Sequence, residues 1–162
     1  MAQDSNGLVW SEPFTIEPKW LDYNGHLNMA YYHVMFDRTV DVALDVLDLG
    51  ETYRHRADAG IFNVETHVVY RREVRGDHTV RVSFQLLGRD AKRLHAFQTM
   101  VIDGEDGLAA TSESLFVHVD LGARRSAPFS EAAMAQCDEM IRAQGHAGMP
   151  EMAGRRIAPL AP

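Results

Sequence analysis

The sequence predicts an α+β fold in which one long, buried helix lies against a single antiparallel sheet. Three observations carry this. A run of helix formers with a wide apolar stripe follows Asn28, the apolar period then shifts to two, and Gly- and Asp-bearing turns separate the period-two runs. A length of 162 residues fits one domain. With 46% apolar and 24% charged residues, the chain has enough apolar surface to offset the entropy lost on ordering, which excludes general disorder.

The first twelve residues are polar and expected to be loose, with a single domain over 13–143 and a flexible tail over 144–162. Phe14-Thr15-Ile16 reads as a short strand, and Pro18, Asn24 and Gly25 mark the loop after it. Asn28 stands where an N-cap is wanted, because its side-chain oxygen can accept from an unpaired backbone N–H. A helix free of Gly and Pro is predicted from Met29 to Leu49, with Gly50 as its stop. Tyr31, Met35, Val42, Val46 and Leu49 form one apolar stripe, and Tyr32, Phe36, Val40, Ala43 and Leu47 form another beside it. A stripe that wide belongs to a helix embedded in a core.

After a short helical piece around 53–59, Phe62, Val64, Thr66, Val68 and Tyr70 alternate with Asn63, Glu65, His67, Val69 and Arg71. Arg75-Gly76-Asp77 is a turn, the strand Val80–Leu86 follows, and runs at 94–102 and 108–119 are joined through Gly104-Glu105-Asp106-Gly107. Hairpin-linked strands of this kind favour an antiparallel sheet, whose exposed edges make pairing between copies an economical solution. Pro128 and Ser130 open a last helix over roughly residues 131–142.

Sixteen Lys+Arg against twenty-three Asp+Glu give a net charge of -7, which argues against nucleic-acid binding, since that needs a basic face for phosphates. No apolar run approaches the ~20 residues of a membrane span. The N-terminus lacks the pattern of a secretory signal, and a single cysteine, Cys137, makes neither an intrachain disulfide nor a thiolate metal cluster. These features point to the cytoplasm, with no membrane partner. The absence of His-Glu-x-x-His, Cys pairs and Gly-x-Ser-x-Gly predicts no metal, no cofactor and no serine-hydrolase elbow.

The chemistry concentrates in Trp20-Leu21-Asp22-Tyr23-Asn24-Gly25-His26-Leu27-Asn28-Met29-Ala30-Tyr31-Tyr32. Here a carboxylate, an imidazole, two amides and several aromatics precede a helix N-terminus. First-turn N–H groups and the positive end of the dipole stabilise a developing oxyanion, and a carboxylate beside them can act as general base or nucleophile. The plain structural alternative is a turn at Asp22, Asn24 and Gly25 followed by a cap at Asn28.

Asp22-Tyr23-Asn24-Gly25-His26-Leu27-Asn28, followed by Tyr31 or Tyr32, resembles the Asp-x-x-Gly-His-Val-Asn-x-x-x-Tyr signature of hotdog-fold acyl-CoA thioesterases related to 4-hydroxybenzoyl-CoA thioesterase. The resemblance runs from about Phe14 to Pro128 and includes Gly76-Asp77, Val119-Asp120 and Arg124-Arg125. Val64-Glu65-Thr66-His67-Val68-Val69-Tyr70, Lys92-Arg93-Leu94-His95 and Leu115-Phe116-Val117-His118-Val119-Asp120 are in turn similar to the betainyl-CoA thioesterases of carnitine breakdown. The resemblance implies a long central helix wrapped by a sheet, a homodimer or dimer of dimers, and hydrolysis of a small acyl-CoA. It also implies Asp22 as nucleophile or general base and the N–H groups of Met29 and Ala30 as the oxyanion site. His26 and Asn28 would shape the loop or touch the thioester, and Asp37 or Asp41 on the central helix remains a lesser candidate for the carboxylate.

Two binding expectations complete the reading. Glu65, placed with Asn63 and His67 opposite Val64 and Val68, is a candidate partner for a quaternary ammonium held by Trp20, Tyr23, Tyr31 or Phe62, since aromatic faces attract such cations. Arg124 with Arg125, and next Lys92 with Arg93, are candidates for the phosphates of coenzyme A. His55, His78 and His146 are expected at the surface. Two other functions remain open at this point: a hotdog-fold enoyl-CoA hydratase and a non-catalytic acyl-CoA-binding module.

Overall fold

The computed structural model describes residues 4–159. The central helix, α1 (Met29–Val46), is capped by Asn28, whose side chain accepts from the Ala30 N–H. Its inward face buries Tyr32, Met35, Phe36, Thr39, Val40, Ala43 and Leu44. The aliphatic hydroxyl among them is satisfied within the helix, Thr39 Oγ1 donating to the Met35 carbonyl at 2.8 Å. The helix stops earlier than the expected Gly50. Asp48 takes the left-handed conformation at φ 52°, its N–H donates to Asp45 O, and the Leu49 N–H reaches back to Leu44 O at 2.8 Å. Burial of Leu49 and the Asp48–Arg56 pair, 2.7 Å, hold an aspartate where glycine was expected. Gly50 instead precedes α2 (Glu51–Ala57) as its cap.

The long strands are β3 (Ala59–Tyr70), β4 (Thr79–Arg89), β5 (Arg93–Ile102) and β6 (Leu108–Asp120), and the short ones are β1 (Val9–Trp10), β2 (Phe14–Thr15) and β7 (Arg125–Ser126). The sheet runs β1-β4-β5-β6-β3, antiparallel at each pairing, with β2 also on β4 and β7 on β6. Among the long strands, only the links from β4 to β5 and from β5 to β6 are hairpins. The turn at Arg75-Gly76-Asp77 does not join neighbours, because β3 pairs with β6 at the far edge and the 71–78 connection must cross the sheet end to reach β4.

A second correction comes from a bulge in β3, where Asn63 pairs with Phe116 and Glu65 with Leu115. The extra residue, Val64, reverses the alternation. Asn63 therefore shares the helix-facing side with Thr66 and Val68, and Glu65 turns outward with His67.

Two apolar clusters separate α1 from the sheet. One, under the start of α1, joins Ile16, Trp20, Leu27, Tyr32, Met35 and Phe36 to Val74, Val80, Val82, Met100 and Ile102. The other, toward its end, joins Val40, Leu44, Leu47 and Leu49 to Phe84, Leu86, Leu94 and Phe116. The helix α3 (Glu131–Gln144) closes the second cluster with Ala133, Cys137 and Met140. Its last residue, Gln144, is 1% exposed and extends the β4 ladder. Its Oε1 accepts from the Leu86 N–H at 2.7 Å, and its Nε2 donates to Phe84 O and Gly7 O.

The ends of the chain are more ordered than expected. Val9 is buried and pairs with Phe84, so the first twelve residues are not uniformly loose. Residues 145–159 carry a 3-10 turn at Gly145–Ala147 and two ties to the sheet. Gln85 Nε2 donates to Gly148 O, and the Gly154 N–H donates to Glu113 Oε2. The remainder of the expected loose ends, 1–3 and 160–162, lies outside the described residues.

Asp37, Asp41 and Asp45 recur every four residues on the exposed side of α1. Burial raises the Asp41 carboxyl above its ordinary value, and the Asp37 and Asp45 charges add to the shift. A carboxyl raised in the folded state opposes folding once pH exceeds its folded value and is neutral to stability well below its unfolded value of 3.8. Asp41→Asn is expected to stabilise the fold by about 0.5 kcal/mol near neutral pH, the scale of a screened like-charge pair on a helix. The gain should fade as pH drops through the 3.8 region. Urea denaturation at the two pH extremes checks this, and a gain independent of pH rules out charge as its cause.

Candidate active site

The loop before α1 folds back on itself. Leu21 bridges Leu27, the Asp22 N–H donates to His26 O at 2.8 Å, and the Gly25 N–H donates to Asp22 O at 3.0 Å. Gly25 sits at φ 77°, a region glycine enters without steric cost. Asp22 Oδ1 accepts from the backbone N–H of Asn24 at 2.8 Å and of His26 at 3.2 Å. Its second oxygen has no hydrogen-bond partner among the described residues. The carboxylate is thus oriented through one oxygen and leaves the other free.

The loop is docked on the connection that crosses the sheet end. The Leu27 N–H donates to Val74 O at 2.7 Å, His26 bridges Arg75, and the Asn28 N–H donates to Trp20 O. Val74 and Leu27 are buried. Beside them His26 Nε2 lies 3.1 Å from Glu73 Oε2, a half-exposed pair of small energetic weight that orients the ring.

At the helix start the expected oxyanion site is halved. Asn28 Oδ1 already accepts the Ala30 N–H at 3.0 Å, so capping occupies one of the two proposed donors. The Met29 N–H is left as the first-turn donor without an acceptor among the described residues. Met29 lines a cavity of about 720 Å³ together with Asp22, Tyr23, His26, Asn28, Tyr32, Tyr70, Arg71, Arg72 and Glu73. Asp22, His26, Asn28 and Met29 therefore line one cavity.

The expected aromatic group is not assembled within the chain. Trp20 is buried and stacks on Tyr31 at 5.3 Å, forming packing beneath the loop. Tyr23 stands at the cavity mouth, 97% exposed. Phe62 lies near the other end of β3, about 27 Å from Tyr70 at ~3.4 Å per residue. Glu65 faces outward because of the bulge and lines a different cavity of about 640 Å³ with His95, Glu113 and the tail residues Gly154, Arg155 and Arg156.

Lys92 and Arg93 line a third cavity with Ser126 of β7, so the strand that carries Arg125 does sit beside them. Arg124 adjoins it at φ 52°, and Arg93 is paired with Asp90. This basic group lies at the opposite end of the sheet from Asp22, about 30 Å along β6 from Ala110 to Val119. Asp37 lines a separate cavity of about 290 Å³ with His33, Asn63, Thr66, Gln98 and Ser112, away from the loop. Asp41 is exposed and lines none of these cavities.

His55 and His146 are exposed, but His78 is not. It is 8% exposed, its Nδ1 accepts the Arg75 N–H, and its Nε2 lies 3.6 Å from Glu105. The residues that sequence reasoning missed are Glu73, Tyr70 and Arg71. Glu73 reaches the site only because the 71–78 segment crosses the sheet end, and no local spacing signals that. Tyr70 was visible as an alternating residue, but its neighbour across the cavity, Tyr32, was not assignable without the packing. Among the described residues no group of three His, Cys, Asp or Glu is placed to hold a metal ion, and no helix is long and apolar enough to cross a membrane.

A family model described as the thioesterase-like superfamily matches residues 16–137. Betainyl-CoA thioesterase of Pseudomonas aeruginosa is 35% identical over 140 residues, covering 86% of this chain and 88% of that protein. The L-carnitine dehydrogenase/betainyl-CoA thioesterase of Rhizobium meliloti is 32% identical over 95% of this chain, which spans 31% of that longer protein. Among solved structures, a Staphylococcus aureus protein in complex with CoA matches at TM-score 0.86 and 26% identity, over 94% of this chain and 96% of its own. A Pseudomonas putida KT2440 protein described as a candidate thioesterase matches at TM-score 0.81 and 32% identity, over 95% and 98%. The fold is the hotdog expected from the sequence, a long helix wrapped by an antiparallel sheet.

Removing the cap should separate its structural from its chemical role. Asn28→Ala is expected to cost about 1 kcal/mol of stability, the usual loss for an Asn cap. Urea denaturation measures it, and a change below a few tenths would mean that water caps the Ala30 N–H equally well.

Proposed function

The chain belongs to the thioesterase-like superfamily and is an acyl-CoA thioester hydrolase, and we propose that its substrate is betainyl-CoA and that Asp22 drives attack on the thioester. The substrate reading is supported by the identity to the P. aeruginosa enzyme across most of both chains. The observation that carries the mechanism is the free oxygen of Asp22, held in one cavity with the unpaired Met29 N–H at the start of α1.

In this mechanism the thioester carbonyl oxygen accepts from the Met29 N–H, where the helix dipole favours negative charge. Asp22, oriented by two backbone N–H groups on Oδ1, takes a proton from water through Oδ2 as the water oxygen bonds to the carbonyl carbon. Collapse of the tetrahedral species expels the coenzyme A thiolate and leaves the carboxylic acid. Direct attack by Asp22 would instead expel the coenzyme A thiolate and form a mixed anhydride that water then opens at the aspartyl carbon. A single turnover in ¹⁸O-water separates the routes, because only the second leaves label in the protein.

The proposal includes a homodimer formed through β3, either alone or as half of a dimer of dimers. That strand is a free edge of twelve residues carrying exposed Phe62 and Val64, a pattern that proteins ordinarily cover. Antiparallel self-pairing of β3 sets the Asp22 end of one protomer against the Arg125 end of its partner. The basic group of Lys92, Arg93, Arg124 and Arg125 then comes within reach of a coenzyme A whose thioester lies at the first protomer's Asp22. A cytoplasmic setting suits the buried Cys137, whose thiol burial pushes up to about 11.

Thiol release from betainyl-CoA, acetyl-CoA, a medium-chain acyl-CoA and 4-hydroxybenzoyl-CoA tests the reading. The wild type is expected to prefer betainyl-CoA, and Asp22→Asn to lower kcat by about 10²–10⁴, the range for a lost general base. Retention of kcat within a few-fold in Asp22→Asn would remove Asp22 from the chemistry. Release from none of the four, with binding intact, would overturn the hydrolytic assignment.

A further inference from the structure

The acyl group of betainyl-CoA is short: one methylene separates its quaternary nitrogen from the thioester carbonyl. Whatever holds that cation must therefore line the same cavity as Asp22, which disqualifies side chains at the far end of β3 or on the outer face of the sheet within the same protomer. Resting on the betainyl-CoA reading, we infer that Tyr32, Tyr70 and Tyr23, with the carboxylate of Glu73, form the subsite for the trimethylammonium head.

A quaternary ammonium has no N–H to donate, so it is recognised by ring faces and by nearby negative charge rather than by hydrogen bonds. Tyr32 and Tyr70 meet edge to face, centroids 5.0 Å apart and planes at 82°. In that geometry the ring that presents its edge keeps both faces clear of the other. Both rings, with Tyr23 at the mouth, line the cavity that holds Asp22. Burial pushes the phenols of Tyr32 and Tyr70 upward, so both rings are neutral at physiological pH.

The charge balance agrees. Arg72 is engaged by Glu105 and by the Asp106 carbonyl. Glu73 also lies 3.8 Å from Arg75, which Asp77 in turn engages at 3.4 Å, and the Arg71 guanidinium has no carboxylate partner among the described residues. Taken with the partners Glu105, Arg75 and Asp77, the group holds one more carboxylate than guanidiniums, so a cationic acyl group is preferred over a neutral one of equal shape. Glu73 is half-exposed before substrate enters. A bound head group would displace water from it, and the attraction strengthens as the local dielectric falls.

The neutral isostere is 3,3-dimethylbutanoyl-CoA, in which carbon replaces the nitrogen. The test measures kcat/KM for betainyl-CoA and for this isostere, and reads their ratio. The wild-type ratio is expected to favour betainyl-CoA, and Glu73→Gln to reduce it about tenfold. Tyr70→Leu should reduce it several-fold, and Tyr70→Phe, which keeps the ring face, should restore it. Glu65→Ala should leave the ratio as it is. A preference that survives both Glu73→Gln and Tyr70→Leu overturns the subsite and leaves the substrate reading intact. One that falls in Glu65→Ala but not in Glu73→Gln returns the cation to β3. A wild type with no preference for the cation brings down the substrate reading itself.

Discussion

The site depends on a single backbone pairing between segments 47 residues apart at Leu27 and Val74. The Leu27 N–H donates to Val74 O, His26 bridges Arg75, and both Leu27 and Val74 are buried in the cluster beneath the start of α1. This pairing exists because β3 and β4 occupy different parts of the sheet, so the chain between them must cross the sheet end. The crossing segment fixes the loop from below, while the Asx turn at Asp22 and the left-handed Gly25 shape it from within. The free oxygen of Asp22, the first-turn N–H of Met29 and the carboxylate of Glu73 take their relative positions from that one seam. A hairpin between β3 and β4 would have given the same local turn and no site.

The same topology explains why the functional groups are divided between two ends of the molecule. The sheet places the start of α1 near Tyr70 and Ala110, and the Lys92, Arg93 and Arg125 group near Val117 and Val119. One protomer therefore offers a chemical end and a basic end about 30 Å apart along β6. Their distance is a liability only for a monomer. In the proposed dimer, a two-fold axis through the middle of an antiparallel β3 pair would bring unlike ends together twice, and the same contact would cover the unpaired apolar edge that otherwise invites aggregation.

Much of this was legible in the sequence wherever the information is local. The N-cap at Asn28, the turn at Gly25 and the stripe of Tyr32, Phe36, Val40, Ala43 and Leu47 are matters of neighbouring residues, and each stands where it was expected, whereas in the other predicted stripe Val46 is exposed and Leu49 lies past the helix end. The misplacements share a cause, which is that tertiary packing chose between local options of similar cost. Asp48 displaced Gly50 as the helix stop because Leu49 had a core to enter and Arg56 was within reach. Val64 became a bulge because the β6 register put Asn63 opposite Phe116 and Glu65 opposite Leu115, which turned Glu65 out of the predicted cage. Glu73 and the burial of His78 were invisible because both lie on the crossing segment or its end, whose path only the assembled sheet defines.

The proposed oxyanion site, with one of its two expected donors engaged, bears on which substrates the chain is suited to. With Ala30 committed to Asn28, Met29 is the one first-turn donor in position, and a single backbone N–H is modest support for a full negative charge. A substrate of the proposed kind relieves that demand from within. Its own quaternary nitrogen stays about 4 Å from the developing oxyanion, where opposite unit charges attract by roughly 4 kcal/mol at an effective dielectric of 20. The protein then has less to do at the oxygen and more to do at the nitrogen, which must be held without being neutralised by a tight ion pair. Ring faces with a half-exposed carboxylate behind them meet that requirement better than a buried acid in contact, because they attract the cation while leaving its field directed at the carbonyl. On this view the weak oxyanion site and the tyrosine-lined wall are two aspects of one adaptation to a positively charged acyl group.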